Sequence, residues 1–563
     1  MAREPSTGLL DRFAHPFRAI VLRRRLARSS CAIVQKSSTV LASARSTGDG
    51  RMKRLSAAAL GAALIATPAL LAPGATARAD TDRSVVVTSQ GAVRGTVGEK
   101  ARSFQGIPYA TAERFAAPRP AAGWTGVRDA TEPGAPCAQP TGYPIGEYST
   151  AEDCLSVNVT TPSAAKGKLP VIVWVHGGSL MYGMGDLYGA ERLAAGGAVV
   201  VSMNYRLGAA AFLTHPSIPE SGGLALDDQR AALRWVRGNI AAFGGDPRNV
   251  TLMGQSGGGF AVCGHLASPA SAGLFHKAIV QSAPCGVPGN ASRTRAEALA
   301  ESEPVVEKLM EECPDGVGAA RCLRETPMES LLKAYGEGEP RPVSGTPQLP
   351  LPVDEAFRTG RFNRVPVLIG VNSDEENGRV LGEELATGEP MADDAYEKAI
   401  RDGYGRRAAA VLRRYPLGAG RSLARVKTDE VWAAPTLDTA RTLARRTPVR
   451  MYEFAEQDTP WYAGYPAPSF PAAAQHMAEL AYIFDLDLFE DLTAEQAALG
   501  DRLIGAWTRF AATGDPNGGG EAAWPRLRDD RGRAGRYVQS LTSGAWERAD
   551  FERDHEYRFW SRG

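Results

Sequence analysis

Asn249-Val250-Thr251-Leu252-Met253-Gly254-Gln255-Ser256-Gly257-Gly258 is the stretch on which the reading of this chain turns. The run from Asn249 to Met253 predicts a strand that ends in Gly254, and residues 257–267 predict a helix. Between them stands a single G-x-S-x-G motif. Glycine is common here (61 residues), so the motif alone is weak and could be a plain glycine-rich turn. The strand before it and the helix after it are the context that a nucleophile elbow requires. Such a turn is so tight that the flanking side chains must be small. It lifts the serine hydroxyl clear of the sheet and aims the next helix N-terminus at the reacting centre.

Outward from this stretch the same alternation continues. Residues 170–175, 198–202, 277–281, 365–371 and 449–454 are short apolar runs that predict strands. Leu226, Ala231, Leu233, Val236, Ile240 and Phe243 recur at helical spacing and predict a helix over residues 224–243. Residues 497–512 predict a late helix, and the mostly helical stretch 380–445 is expected to cap the sheet. The class is α/β, with a large, mostly parallel, twisted sheet flanked by helices. No linker rich in Pro, Gly or Ser divides residues 80–563, which are read as a single catalytic domain.

His176-Gly177-Gly178-Ser179 follows directly on the strand at 170–175. A loop of small residues there can turn two backbone N–H groups toward an oxyanion, with the amide of Gly257 as a further donor. His176 itself lies before the serine, whereas the elbow's chain order is Ser, then acid, then His. Among the histidines after Ser256, the candidates weighed are His276, His476 and His555. His276 opens a strand and His555 sits in a charged tail, while His476 falls in a polar break between helical stretches. The acid candidates are Asp374, Glu375 and Glu376, just past a strand end, where α/β sheets carry their sites. Position in the sequence does not choose among the three, and a solvated acidic loop would read the same.

The N-terminal region has a different character. Met52-Lys53-Arg54 is a short basic start, residues 55–71 are small and apolar, and Ala77-Arg78-Ala79 has the small-x-small form of a cleavage site. Residues 52–79 are read as a signal peptide cut after Ala79, and Arg-rich residues 1–51 as an extended or non-native leader. The protein is thus expected to be secreted. The whole chain carries 64 basic and 63 acidic residues; residues 80–563 keep 51 and 60, a net charge of −9. That balance argues against nucleic acid or an anionic membrane as partner, and no run after the leader is long enough to span a bilayer. Cys31 lies in the leader, so six cysteines remain in an exported chain where disulfides are permitted. Cys137/Cys154 and Cys313/Cys322 are close in sequence; Cys263 and Cys285 are read as buried thiols. CxxC, HxH and HExxH patterns are absent, so no metal site is expected.

With these residues in hand, the chain resembles the type-B carboxylesterase family from about residue 84 to the C-terminus. Phe104-Gln105-Gly106-Ile107-Pro108-Tyr109-Ala110 is similar to its opening strand pair, and Glu152-Asp153-Cys154-Leu155-Ser156-Val157-Asn158 to its second signature. Residues 204–208, 243–247 and 510–516 are similar to further blocks, in order. The resemblance implies the α/β-hydrolase fold and ester hydrolysis on small-molecule substrates, without a cofactor. It makes Ser256 the nucleophile, Glu375 the acid and His476 the base, with oxyanion donors at the amides of Gly178, Ser179 and Gly257. It also implies the disulfides Cys137–Cys154 and Cys313–Cys322.

The chain departs from the family pattern at Ser179, Gln255, Glu376 and Met477, where Gly or Ala, Glu, Gly and Gly are frequent. None of these removes a reacting group. The loop between Cys137 and Cys154 has no Trp, the residue cholinesterases use there for a quaternary ammonium. Two rival readings are a lipase on long-chain interfacial esters and a non-catalytic adhesion relative; the complete triad argues against the second.

Overall fold

The computed structural model describes residues 82–142, 144–164, 167–336, 338–528 and 537–561. The leader at 1–51, the signal peptide at 52–79, its cleavage point and Cys31 lie outside the described residues. Ten strands make the central sheet: β1 (Thr96–Val97), β2 (Ala101–Pro108), β3 (Ser156–Pro162), β4 (Leu169–Val175), β5 (Val199–Met203), β6 (Gly245–Gln255), β7 (Lys277–Gln281), β8 (Val367–Asn372), β9 (Val449–Phe454) and β10 (Gln539–Leu541). Their order is β10-β9-β8-β7-β6-β4-β5-β3-β2-β1. Every pairing from β10 across to β5 is parallel. The pairings β5–β3, β3–β2 and β2–β1 are antiparallel. The sheet is mixed, with the parallel majority expected from the sequence.

The helices that cover it are α1 (Leu224–Asn239) and α2 (Gly257–Ala267), then the run α3 (Asn377–Thr387), α4 (Asp393–Tyr404), α5 (Ala408–Arg414), α6 (Ala419–Lys427) and α7 (Ala434–Ala444), and finally α8 (Ala494–Thr513). Side chains of β4 alternate between two cores. Val171, Val173 and Val175 join Leu233 and Val236 of α1 and Phe260 and Val262 of α2. Ile172 and Trp174 join Leu499, Leu503, Trp507 and Phe510 of α8. Both faces of the strand are covered, so its sequence reads as one unbroken apolar run. Each large side chain fully buried this way contributes roughly 1.5–3 kcal/mol. At its N-terminus α8 is closed by a capping box between Thr493 and Gln496, and Gly514 at φ +78° ends it.

The helix expected over 224–243 is α1 followed by a 3₁₀ turn, Ile240–Phe243. The strand expected at 249–253 starts four residues earlier, at Gly245, and breaks register before Val250. Its polar opening, Asp246-Pro247-Arg248, hides that extension in the sequence. Within 380–445, Tyr396, Ile400, Val411, Tyr415, Leu423 and Val426 form a satellite core of their own, whereas Leu437, Ala440 and Leu443 of α7 join the main one. Between α6 and α7 lies a π-helical turn, Thr428–Ala433. Arg83–Gly563 forms one compact unit. Among the described residues no helix is long and apolar enough to cross a membrane.

Three disulfides are present. Cys137–Cys154 and Cys313–Cys322 are the pairs the resemblance implies. Cys263 and Cys285, read as buried thiols, are instead joined to each other. Cys263 lies on α2 and Cys285 just past β7, elements adjacent in space through β6. Only the sheet order brings them together.

Candidate active site

Between Gln255, the last residue of β6, and Gly257, the first of α2, Ser256 alone makes the reversal, at φ +53° and ψ −123°. Such a backbone costs a non-glycine residue about 1–3 kcal/mol, which the surroundings must impose. The Ser256 amide donates to the Gln281 carbonyl at 2.9 Å, and the Phe260 amide donates to the Ser256 carbonyl at 2.9 Å. The flanking glycines are obligatory. A Cβ on Gly254 would stand 2.5 Å from the Gly258 carbonyl oxygen, and one on Gly258 2.0 Å from that of Val175.

The loop after β4 packs onto this turn. Gly178, Ser179 and Leu180 have φ of +103°, +55° and +62° in succession. The amides of Met181 and Tyr182 hold the bend by donating to the Gly178 carbonyl at 2.9 and 3.1 Å. A Cβ on Gly177 would lie 3.4 Å from Ser256 Cβ, and a Cβ on Gly257 would lie 2.9 and 2.8 Å from the amide nitrogens of Ser179 and Leu180. The loop and the N-terminus of α2 are therefore in contact, and the first-turn amide of Gly257 has no acceptor within its own helix. His176 is walled into the core behind the loop. It is fully buried, stacked on Tyr205 at 4.3 Å, with Nδ1 2.9 Å from the Gly177 carbonyl, and burial pushes it down to about 4.

The acidic trio divides by direction. Glu375 Oε2 lies 2.5 Å from His476 Nδ1, and its Oε1 accepts from Ser282 Oγ at 2.6 Å and the Asn372 amide at 2.8 Å. Asp374 turns to Ser373 Oγ and Gln457 Nε2. Glu376 turns to Trp432 Nε1, at 2.7 Å, and to Arg379. His476 is further fixed by its amide, which donates to the Glu375 carbonyl at 3.1 Å. Burial disfavours the imidazolium, but the Glu375 carboxylate outweighs it, so the His476 pKa is raised above its ordinary value. Gln255 Nε2 donates to the His476 carbonyl at 2.6 Å, tying the His476 segment to the turn at Ser256. A carboxylate at position 255 could not make that bond.

Two groups here escaped the sequence reading. Glu479 is a second buried carboxyl behind the first, accepting from Gln281 Nε2 at 2.9 Å and Asn372 Nδ2 at 2.6 Å. Burial pushes its pKa up to about 7. Its place three residues after His476, in the same block, was the available signal. Trp432 of the π-helical turn lies against His476, ring centroids 4.5 Å apart. The other histidines after Ser256 are engaged elsewhere, His265 with Nδ1 2.9 Å from Ser271 Oγ and Nε2 2.9 Å from Gln229 Oε1. His276 Nδ1 accepts from the Val250 amide at 3.1 Å. His555, expected in a charged tail, is fully buried, with Nδ1 2.6 Å from Asp429 and Nε2 2.5 Å from Glu453. Beside it Arg425 pairs with Asp429 and donates to the carbonyls of Ser373 and Asp554, so the tail braces the loop that carries Glu375.

A strained serine at a helix N-terminus, a glycine-rich loop packed against that terminus, and an imidazole held at Nδ1 by a buried carboxylate are parts suited to acyl transfer. The model of the carboxylesterase family matches residues 82–560. The para-nitrobenzyl esterase of Bacillus subtilis is 34% identical over 479 residues, 79% of this chain and 93% of that protein. The phenmedipham hydrolase of Pseudarthrobacter oxydans is 32% identical, covering 80% and 94%. The cocaine esterase of Homo sapiens is 31% identical, covering 82% and 87%. A solved thermophilic PNB esterase superimposes with a TM-score of 0.68 at 31% identity, covering 84% of this chain and 99% of its own. Sequence and fold agree: the chain belongs to the carboxylesterase family and is a carboxylic-ester hydrolase of the α/β-hydrolase fold.

Proposed function

We propose that the protein is a secreted serine carboxylesterase acting through Ser256, His476 and Glu375 and a covalent acyl-enzyme. The observation that carries this is the 2.5 Å contact between His476 Nδ1 and Glu375 Oε2, on a base segment tied to the elbow by Gln255. With Nδ1–H donated to the carboxylate, Nε2 is the basic nitrogen that takes the Ser256 proton. The alkoxide attacks the ester carbonyl, and the amides of Gly178, Ser179 and Gly257 hold the tetrahedral oxyanion. The imidazolium returns the proton to the departing alcohol. Water then repeats the cycle on the acyl-enzyme, releasing the acid and restoring Ser256.

Relatives named for para-nitrobenzyl esters, cocaine and phenmedipham support a small-molecule substrate. Gln255 in place of a carboxylate, and a Cys137–Cys154 loop without Trp, favour uncharged short- to medium-chain or aryl esters over choline esters. Three disulfides and the leader at 52–79 support export. One preparation tests all of this. Protein recovered from the medium should begin at Asp80, and a fluorophosphonate should label one serine. Ser256→Ala should abolish that label and lower turnover on the order of 10⁶-fold, the loss measured in a comparable serine hydrolase. Retention of a tenth of the turnover refutes the nucleophile. A choline ester cleaved faster than its uncharged isostere refutes the substrate class, and a cell-bound product refutes secretion.

A further inference from the structure

Glu376 stands where the family has Gly, and the triad makes no use of it. Its carboxylate accepts from the indole Nε1 of Trp432 at 2.7 Å, and its amide donates to Thr428 Oγ1 at 3.1 Å. An ion pair with Arg379 holds the carboxylate from the other side. Both of its partners on the cap, Thr428 and Trp432, belong to the π-helical turn Thr428–Ala433. A π-turn inserts one residue into a helix and redirects the side chains around it, and such turns gather at functional sites. Here it brings Trp432 over His476, with ring centroids 4.5 Å apart and the planes inclined by 47°.

We infer that Trp432, aimed by Glu376, is a positioning residue for His476, covering the imidazole and favouring its charged form with the indole face. This rests on His476 being the base. On the productive path the imidazolium forms only at the tetrahedral stage, so a π face beside it acts on turnover more than on substrate binding. The charged groups that act on the imidazole are Glu375 and Glu376 of the acid loop and Glu479 of its own segment. The two carboxylates of the π-turn face elsewhere, Asp429 toward His555 and Arg425, and Glu430 toward Lys427 and Tyr404.

The test compares four single variants, one double variant and Glu375→Gln as reference by kcat, KM and the acid limb of the pH–rate profile. Trp432→Phe keeps a ring face and should hold most of kcat. Trp432→Leu removes it and should lose on the order of tenfold in kcat with little change in KM, its acid limb moving to lower pH. Glu376→Gln keeps an acceptor for the indole and should stay within about twofold; Glu376→Ala should lose on the order of threefold. Glu376→Ala added to Trp432→Leu should cost little more than Trp432→Leu alone, because the two act as one unit. Fluorophosphonate labelling and melting temperature confirm that each variant is folded, and Trp432→Phe carries the test should the leucine variant fail to fold: a Phe variant with kcat and acid limb as poor as those of Glu375→Gln overturns the π-face role. A Trp432→Leu enzyme with wild-type kcat and an unmoved acid limb, alongside a crippled Glu375→Gln, overturns this inference and leaves the triad standing. A wild-type-like Glu375→Gln overturns the triad and this inference together.

Discussion

Glu375 differs from its two neighbours in what it touches. It is buried between Ser282, the Asn372 amide and His476, whereas Asp374 and Glu376 pair with Gln457 and with Trp432 and Arg379. Glu375→Gln should therefore lose on the order of 10⁴ in turnover, because an amide favours the wrong imidazole tautomer. Asp374→Asn and Glu376→Gln should retain most activity; a dead neighbour and a mild Glu375→Gln would reassign the acid. The same contact fixes a sign. Because Glu375 raises the pKa of His476, the rate should rise with pH through a half-point above the unperturbed value of ~6.5. A half-point below that value in a kcat/KM profile would contradict the pairing. The sequence could bring the acid to within three positions and no closer, since beyond a strand end successive side chains point apart. The resemblance chose Glu375, and of the three it is the one whose carboxylate lies against His476 Nδ1. Trp432 was illegible: it lies over forty residues from His476, on a turn whose irregular period no helical pattern reveals.

Elements that bury both faces declared themselves, as the apolar runs of β4, β5 and β8 did. Contacts between elements did not, and the third disulfide shows why. Cys263 and Cys285 are 22 residues apart, and they meet only because β7 pairs beside β6 and α2 lies over both. Replacing both by Ala should cost roughly 2–4 kcal/mol, read as a lower urea midpoint. An unchanged midpoint would mean the bridge is idle in the folded protein. The closeness of α2 to β4 makes a sharper prediction. Gly258→Ala places a methyl 2.0 Å from the Val175 carbonyl oxygen. Backbone cannot yield as a flexible side chain does, so the variant should melt well below the wild type, whereas Gly273→Ala, with open space around it, should suffer only the milder strain of its φ of +71°. Equal melting temperatures would refute the close approach.

Across the whole molecule, the tail from Phe551 onward reaches back to the site. His555 is held between Asp429 and Glu453, and although burial and Arg425 oppose its charge, those carboxylates raise it to about 9. Its unfolded value is ~6.5, so the stabilisation is fully present below that pH and is lost as pH rises through about 9. Urea midpoints of the wild type should fall between those limits, and those of His555→Gln should start lower and fall less; parallel curves would show that His555 does not carry the effect. Composition hid this group, because a tail dense in charge reads as solvated until its partners from α6, the π-turn and β9 are in place. Arg425, by gripping both Ser373 and Asp554, gives the arrangement an order in time. The ribosome delivers Ser256, then Glu375, then His476, and only afterwards the segment that steadies the acid. The loop that carries Glu375 thus waits for its brace until the segment from Phe551 has been made and folded back.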